Sequence, residues 1–124
     1  MTNQQIEKEI KKLKRQISCL YPYKVYTALL TQSGTDAPVA TVLQNTLGGT
    51  VVWTRDNAGV YYGTLVGAFT VNKTAIIIGA SFSGVFSYGS RRESADAIIV
   101  NTSESGSDSD SVLDNTTIQI LVFL

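Results

Sequence analysis

Between Gln4 and Leu20 the apolar residues are Ile6, Ile10, Leu13, Ile17 and Leu20, separated by polar or charged residues and one cysteine. The steps run four, three, four, three, which is a heptad seam. So narrow a stripe suits a coiled coil better than a core-facing helix, which usually carries a third apolar position per heptad. A short isolated helix cannot bury such a stripe by itself. The first expectation is therefore self-association, with N-termini together.

The register sharpens this expectation. With Ile10 and Ile17 at a, the d positions are Ile6, Leu13 and Leu20. Glu9 then stands at g and Lys14 at the following e, so in a parallel assembly Glu9 of one copy faces Lys14 of the next. Thr2 and Gln5 have the spacing of a capping box. Glu7 and Glu9 lie towards the helix start and Lys11, Lys12, Lys14 and Arg15 further on, as the helix dipole prefers. Pro22 closes the helix. Isoleucine at a with leucine at d leans towards two strands, and Ile6 at d shifts the preference towards three; a trimer is favoured, with a dimer the alternative.

The rest of the chain reads as strands and turns. Its residues are mostly Thr, Val, Ile, Gly, Tyr and Ser. Lys24 to Gln32 is a strand apolar or neutral on both faces, hence central or covered. Val39 to Leu47 is ambiguous between strand and helical turn. Thr50 to Arg55 and Val60 to Leu65 flank the turn Asp56-Asn57-Ala58-Gly59 as a hairpin whose aromatics Trp53, Tyr61 and Tyr62 are placed to pair across it, and Phe69 to Val71 continues the return strand. Thr74 to Ile78, Val85 to Tyr88, Ala97 to Thr102 and Thr116 to Phe123 complete the strands. Gly89 to Ser94 reads as a polar loop, and Ser103 to Ser111 as an exposed acidic loop dispensable for folding. The expected fold is mainly β. A short N-terminal coiled-coil helix with its hinge (residues 1–22) precedes an antiparallel β-sandwich or jelly-roll-like knob (residues 23–124).

Composition excludes several classes of function. There is no histidine, which removes the commonest general base and metal ligand. No acids converge, so no catalytic residue is expected and no cofactor. Ten basic and ten acidic residues give zero net charge, which does not favour nucleic acid. No signal peptide and no membrane span is legible. The lone Cys19 falls at position c, a spectator thiol. Gly79 to Gly84 lacks the lysine of a phosphate loop and reads as a turn. Glu104, Asp108, Asp110 and Asp114 have oxygen ligands suited to calcium but not the spacing of an EF-hand, so no metal site is expected. Trp53, Tyr61 and Tyr62 are candidates for stacking on a sugar, against the default of buried sheet aromatics. Arg91 and Arg92 are candidates for holding an acidic sugar or phosphate, against that of a solvated hairpin tip.

The run KVYTALLTQSGTDAPVATVLQNTLGG from Lys24 to Gly49, followed by VVW at Val51 to Trp53 and GVYYG at Gly59 to Gly63, resembles a module of bacteriophage and prophage structural proteins from Bacteroidota-type hosts. These are small head-fibre, tail-fibre or decoration proteins, and the resemblance spans roughly Tyr23 to Leu124. It implies a trimeric virion component, made in the host cytoplasm and exposed on the particle exterior, with capsid or tail proteins as partners. It transfers no functional residue. The alternative expectation is an oligomeric lectin-like module that recognises host surface glycans.

Overall fold

The computed structural model describes residues 2–20, 22–79 and 85–124, and for residues 16–20 the backbone alone. The turn expected at Gly79 to Gly84 lies almost wholly outside the described residues, as do the side chains of Ile17, Cys19 and Leu20.

Among the described residues one helix, α1 (Asn3–Leu20), precedes nine strands: β1 (Tyr23–Thr31), β2 (Val39–Asn45), β3 (Val52–Asn57), β4 (Val60–Thr64), β5 (Thr74–Ile78), β6 (Phe86–Arg92), β7 (Ala97–Glu104), β8 (Ser107–Asp108) and β9 (Thr116–Phe123). The capping box closes the helix start in both directions. The Thr2 backbone N–H donates to Gln5 Oε1 at 2.8 Å and the Gln5 N–H to Thr2 Oγ1 at 3.2 Å.

The strands form two antiparallel sheets. One has the order β2-β1-β9-β5; the other runs β3-β4-β7-β6, with β8 paired to β7. The first strand pairs with the last along its length, from Tyr23 opposite Phe123 to Leu30 opposite Thr116. Their alternation sends Tyr26, Ala28 and Leu30 of β1, with Ile118, Ile120 and Val122 of β9, into a core. Trp53, Tyr61, Ile98 and Val100 enter the same core from the other sheet. Opposed, alternating strands can share one dry interior in this way because successive side chains point to opposite faces. The Trp53 indole N–H donates to the Tyr26 hydroxyl at 3.1 Å and ties the sheets together inside it. Gly63 is what admits the indole: a Cβ there would stand 3.0 Å from the ring.

Several local expectations are corrected. Val39 to Leu47 is mostly strand. The arginines expected on a loop, Arg91 and Arg92, end β6, whose pairing with β7 runs from Phe86 opposite Glu104 to Arg92 opposite Ile98. A polar segment is held extended there because its partner is apolar and buried. Phe69 belongs to no strand. It is fully buried, with its N–H on the Ala95 carbonyl and its own carbonyl accepting from Arg92 Nε at 2.6 Å. The hairpin aromatics do not pair: Trp53 faces Gly63, Thr54 faces Tyr62 and Arg55 faces Tyr61.

Candidate functional site

The helix has the property that most needs explaining. Every described side chain on it, from Asn3 to Arg15, is exposed. The seam residues Ile6, Ile10 and Leu13 are 43%, 46% and 55% exposed, so the seam is not covered by the chain's own strands. The helix therefore does not follow the ordinary pattern of an amphipathic helix packed on its own domain. Glu9 and Lys14, expected to face each other between copies, are both exposed. The basic side chains Lys8, Lys11, Lys12 and Arg15 border a shallow cleft on the helix surface.

The second feature is a polar lock between the sheets. Gln32 follows β1, Tyr61 lies on β4 and Asp110 follows β8. The Tyr61 hydroxyl stands 2.8 Å from Asp110 Oδ1 and 2.9 Å from Gln32 Oε1. It has one proton for two acceptors, and the charged carboxylate is the stronger. Gln32 Oε1 also accepts from the Ser111 N–H at 2.7 Å, while Gln32 Nε2 donates to the Gly34 and Asp36 carbonyls. The Asp110 carboxylate accepts from both Nε and Nη2 of Arg55, with Nη2 at 2.8 Å, and from the Gly59 N–H at 3.1 Å. Gly59 has φ +68°, and a Cβ there would run into the Thr102 carbonyl and the Ser109 N–H. The turn after β3 can lie this close only with glycine.

Electrostatics follow the geometry. The Arg55 guanidinium, then the Gly59 N–H and the Tyr61 hydroxyl, outweigh burial and hold the Asp110 carboxyl down to about 2. Arg55 is in turn held above its ordinary value, first by its bond to Asp110. Burial, and then the neighbouring carboxylate, pushes Tyr61 up to about 12. Burial also raises Tyr26. These groups bond to one another and hold the two sheets together.

This lock corrects the reading of Ser103 to Ser111. The segment is not a plain loop: it contains the end of β7, strand β8 and the residue that receives Arg55. Asp110 is thereby committed to Arg55, Gly59 and Tyr61. Among the described residues no three acidic side chains gather as ligands for a metal ion.

The sequence-based sugar-binding candidates separate. Trp53 and Tyr61 are buried, 7% and 0% exposed, and offer no face to a ligand. Arg92 is turned to the Phe69 carbonyl. Tyr62 and Arg91 alone share the outer face of the β3-β4-β7-β6 sheet, on either side of Ile99, through the pairs Tyr62–Ile99 and Ile99–Arg91. Arg91 is well exposed and lies 3.4 Å from Glu93. Gln32, Arg55 and Asp110 escape local reading because they lie far apart in sequence; the one local signal is a lone amide ending an apolar strand.

At the end of the sheets nearest the helix, a groove of about 290 Å³ is lined by Leu47, Leu65, Val122 and Phe123, with Lys24 and Lys73 beside it. Among the described residues, no helix is long and apolar enough to cross a membrane. No protein-family model, curated protein or solved structure matches this chain.

Proposed function

We propose that this chain is a non-enzymatic virion structural protein. In this reading it is a homo-oligomeric fibre or capsid-decoration subunit, trimeric, with residues 1–22 as coiled-coil anchor. The two sheets of residues 23–124 form a sandwich-like knob displayed on the particle exterior, and the anchor seats on a capsid or tail protein. The observation that carries the reading is the exposed heptad seam: Ile6, Ile10 and Leu13 are apolar, regularly spaced and uncovered within one chain. Other copies of the same helix present matching knobs and holes, and Glu9 at g lies in register with Lys14 at e. The virion assignment rests on the resemblance of Lys24 to Gly63 to phage fibre modules.

Sedimentation equilibrium tests the assembly. A trimer at micromolar concentration that Ile10→Asp dissociates supports it; a native monomer throughout that range overturns it. Incorporation into particles tests the anchor: a chain lacking residues 1–20 should fold but fail to incorporate, and normal incorporation would place the anchor elsewhere.

A second reading is a lectin-like module for host surface glycans. What supports it is the row Tyr62–Ile99–Arg91, which sets an aromatic ring and a cation on one outer sheet face. A glycan array on the purified oligomer, native against Tyr62→Ala, tests it: binding lost in the variant supports it, and no glycan bound by the native chain sinks it.

A further inference from the structure

We infer that the outer face of the β2-β1-β9-β5 sheet, together with its overhanging strand β2, is a second contact surface whose occupant is another copy of this chain. The inference deepens the proposed assembly and rests on it, because the helices are what bring the sheets of different copies together.

Strand β2 has the sequence VATVLQN, with no charge and no proline. Its apolar residues find little cover. Ala40 alone is half-buried; Val39 is 68% and Leu43 61% exposed. One edge of β2 pairs with β1 and the other is the open end of the sheet. Exposed edges are normally blunted by lysine, proline or a bulge. Here a register shift between Thr27 and Ala28 of β1 leaves an extra residue on β2. Lysine and proline are both missing from it.

The uncovered surface continues across the sheet. Pairing places Val25, Leu121 and Ala75 in one outward row, in which Val25 is buried, Leu121 half-buried and Ala75 exposed, with Tyr23 and Phe123 beside it towards the helix, ring centroids 5.4 Å apart. Ile77, 56% exposed, lies on the same side. Among the described residues, the outward positions of these four strands carry no formal charge.

Three arguments choose a second copy as the occupant. The first is reach. Strand β1 begins three residues after Leu20, and three residues span at most about 10 Å, so helices that meet hold the β1 ends of their sheets close together. The second is area. An 18-residue helix is about 27 Å long. A seam that short offers few residues, whereas stable interfaces bury roughly 800 Å² per partner. The third is charge. An uncharged face meets its own copy without like-charge repulsion, and offers a charged partner nothing to pair with.

Sedimentation equilibrium of the full chain tests the inference. The variants are Val39→Lys and Ile77→Lys on the face, Val52→Lys (57% exposed on the other sheet) as control, and Ile10→Asp in the helix seam. Expected is an association constant about 100-fold lower for each face variant, since a lysine placed between copies is desolvated or meets its like, with Val52→Lys unchanged. Native-like association of both face variants, with Ile10→Asp monomeric, overturns this inference and leaves the helix reading standing. Monomeric face variants beside an unaffected Ile10→Asp support the face and overturn the helix reading. A native chain that is monomeric throughout overturns both. Amide exchange over Val39–Asn45 needs no substitution on the face: protection that rises with protein concentration supports the contact, and protection independent of concentration overturns it.

Discussion

The helix and the last strand carry comparable apolar stripes with opposite fates. In β9, Ile118, Ile120 and Val122 repeat every second residue and are buried by their own chain. In α1, Ile6, Ile10 and Leu13 repeat at heptad spacing and remain exposed. Periodicity announces that a face is to be covered; it does not say by what. The strand finds its cover because β1 and β5 flank it and the second sheet closes over it. The described seam residues of the helix lie outside that closed core, and the cover proposed for them is another copy of the chain.

The largest test of this contrast is truncation on each side of it. Ile120→Ala should cost about 2–5 kcal/mol of protomer stability in urea denaturation, the range for a buried isoleucine or leucine. Ile10→Ala should leave the urea midpoint of the dissociated chain unchanged and weaken association in sedimentation. Equal losses of protomer stability would mean that the helix packs on the β strands after all.

The polar lock extends the contrast to hydrogen bonds made within one chain. Tyr61→Phe removes a hydroxyl that serves a charged acceptor and should cost about 1.5–3 kcal/mol in the same measurement. A midpoint unchanged from the native chain would reduce the lock to a bystander of the packing.

Acid sharpens the point further. Arg55 holds Asp110 at about 2 in the folded chain, against an ordinary value of 3.8. A depressed folded value means that the unfolded chain binds the proton first. Asp110 therefore contributes its full stabilisation above about pH 4 and loses it as the pH falls towards 2. The gap in urea midpoint between native and Asp110→Asn should be constant near neutrality and shrink across that window. A gap independent of pH would exclude the Arg55 pairing as its source. The smallest effect is expected at Arg91→Ala, whose exposed pair with Glu93 should be worth no more than about 0.5 kcal/mol by thermal melting.

Legibility in the sequence follows the same division. Strands that turn one face to the core, such as Thr74 to Ile78 and Thr116 to Phe123, could be read from their apolar, β-branched composition. Val39 to Leu47 could not, because β2 is uncovered and so carries no burial pattern. The end of β6 was hidden by Gly89, Ser90, Arg91 and Arg92, which are extended because of β7 and not through their own propensity. Asp110 read as one acid in a serine-rich run, since its partner Arg55 is 55 residues away. The helix seam was legible, and the structure adds that its described residues are uncovered within the chain.

The pairing of β1 with β9 has a consequence for timing. Ala28 lies opposite Ile118, so the four-stranded sheet cannot close until β9 has been made. The helix leaves the ribosome before any of the strands. At about 5–20 residues per second, the roughly 100 residues that follow it take on the order of 5–20 s to synthesise. Throughout that interval the seam is available on neighbouring nascent chains of one message while the sheets are still open. On the proposed assembly, subunits would be recruited to one another before any of them has finished folding, with partner choice made by the part of the chain that needs no tertiary structure to be recognised.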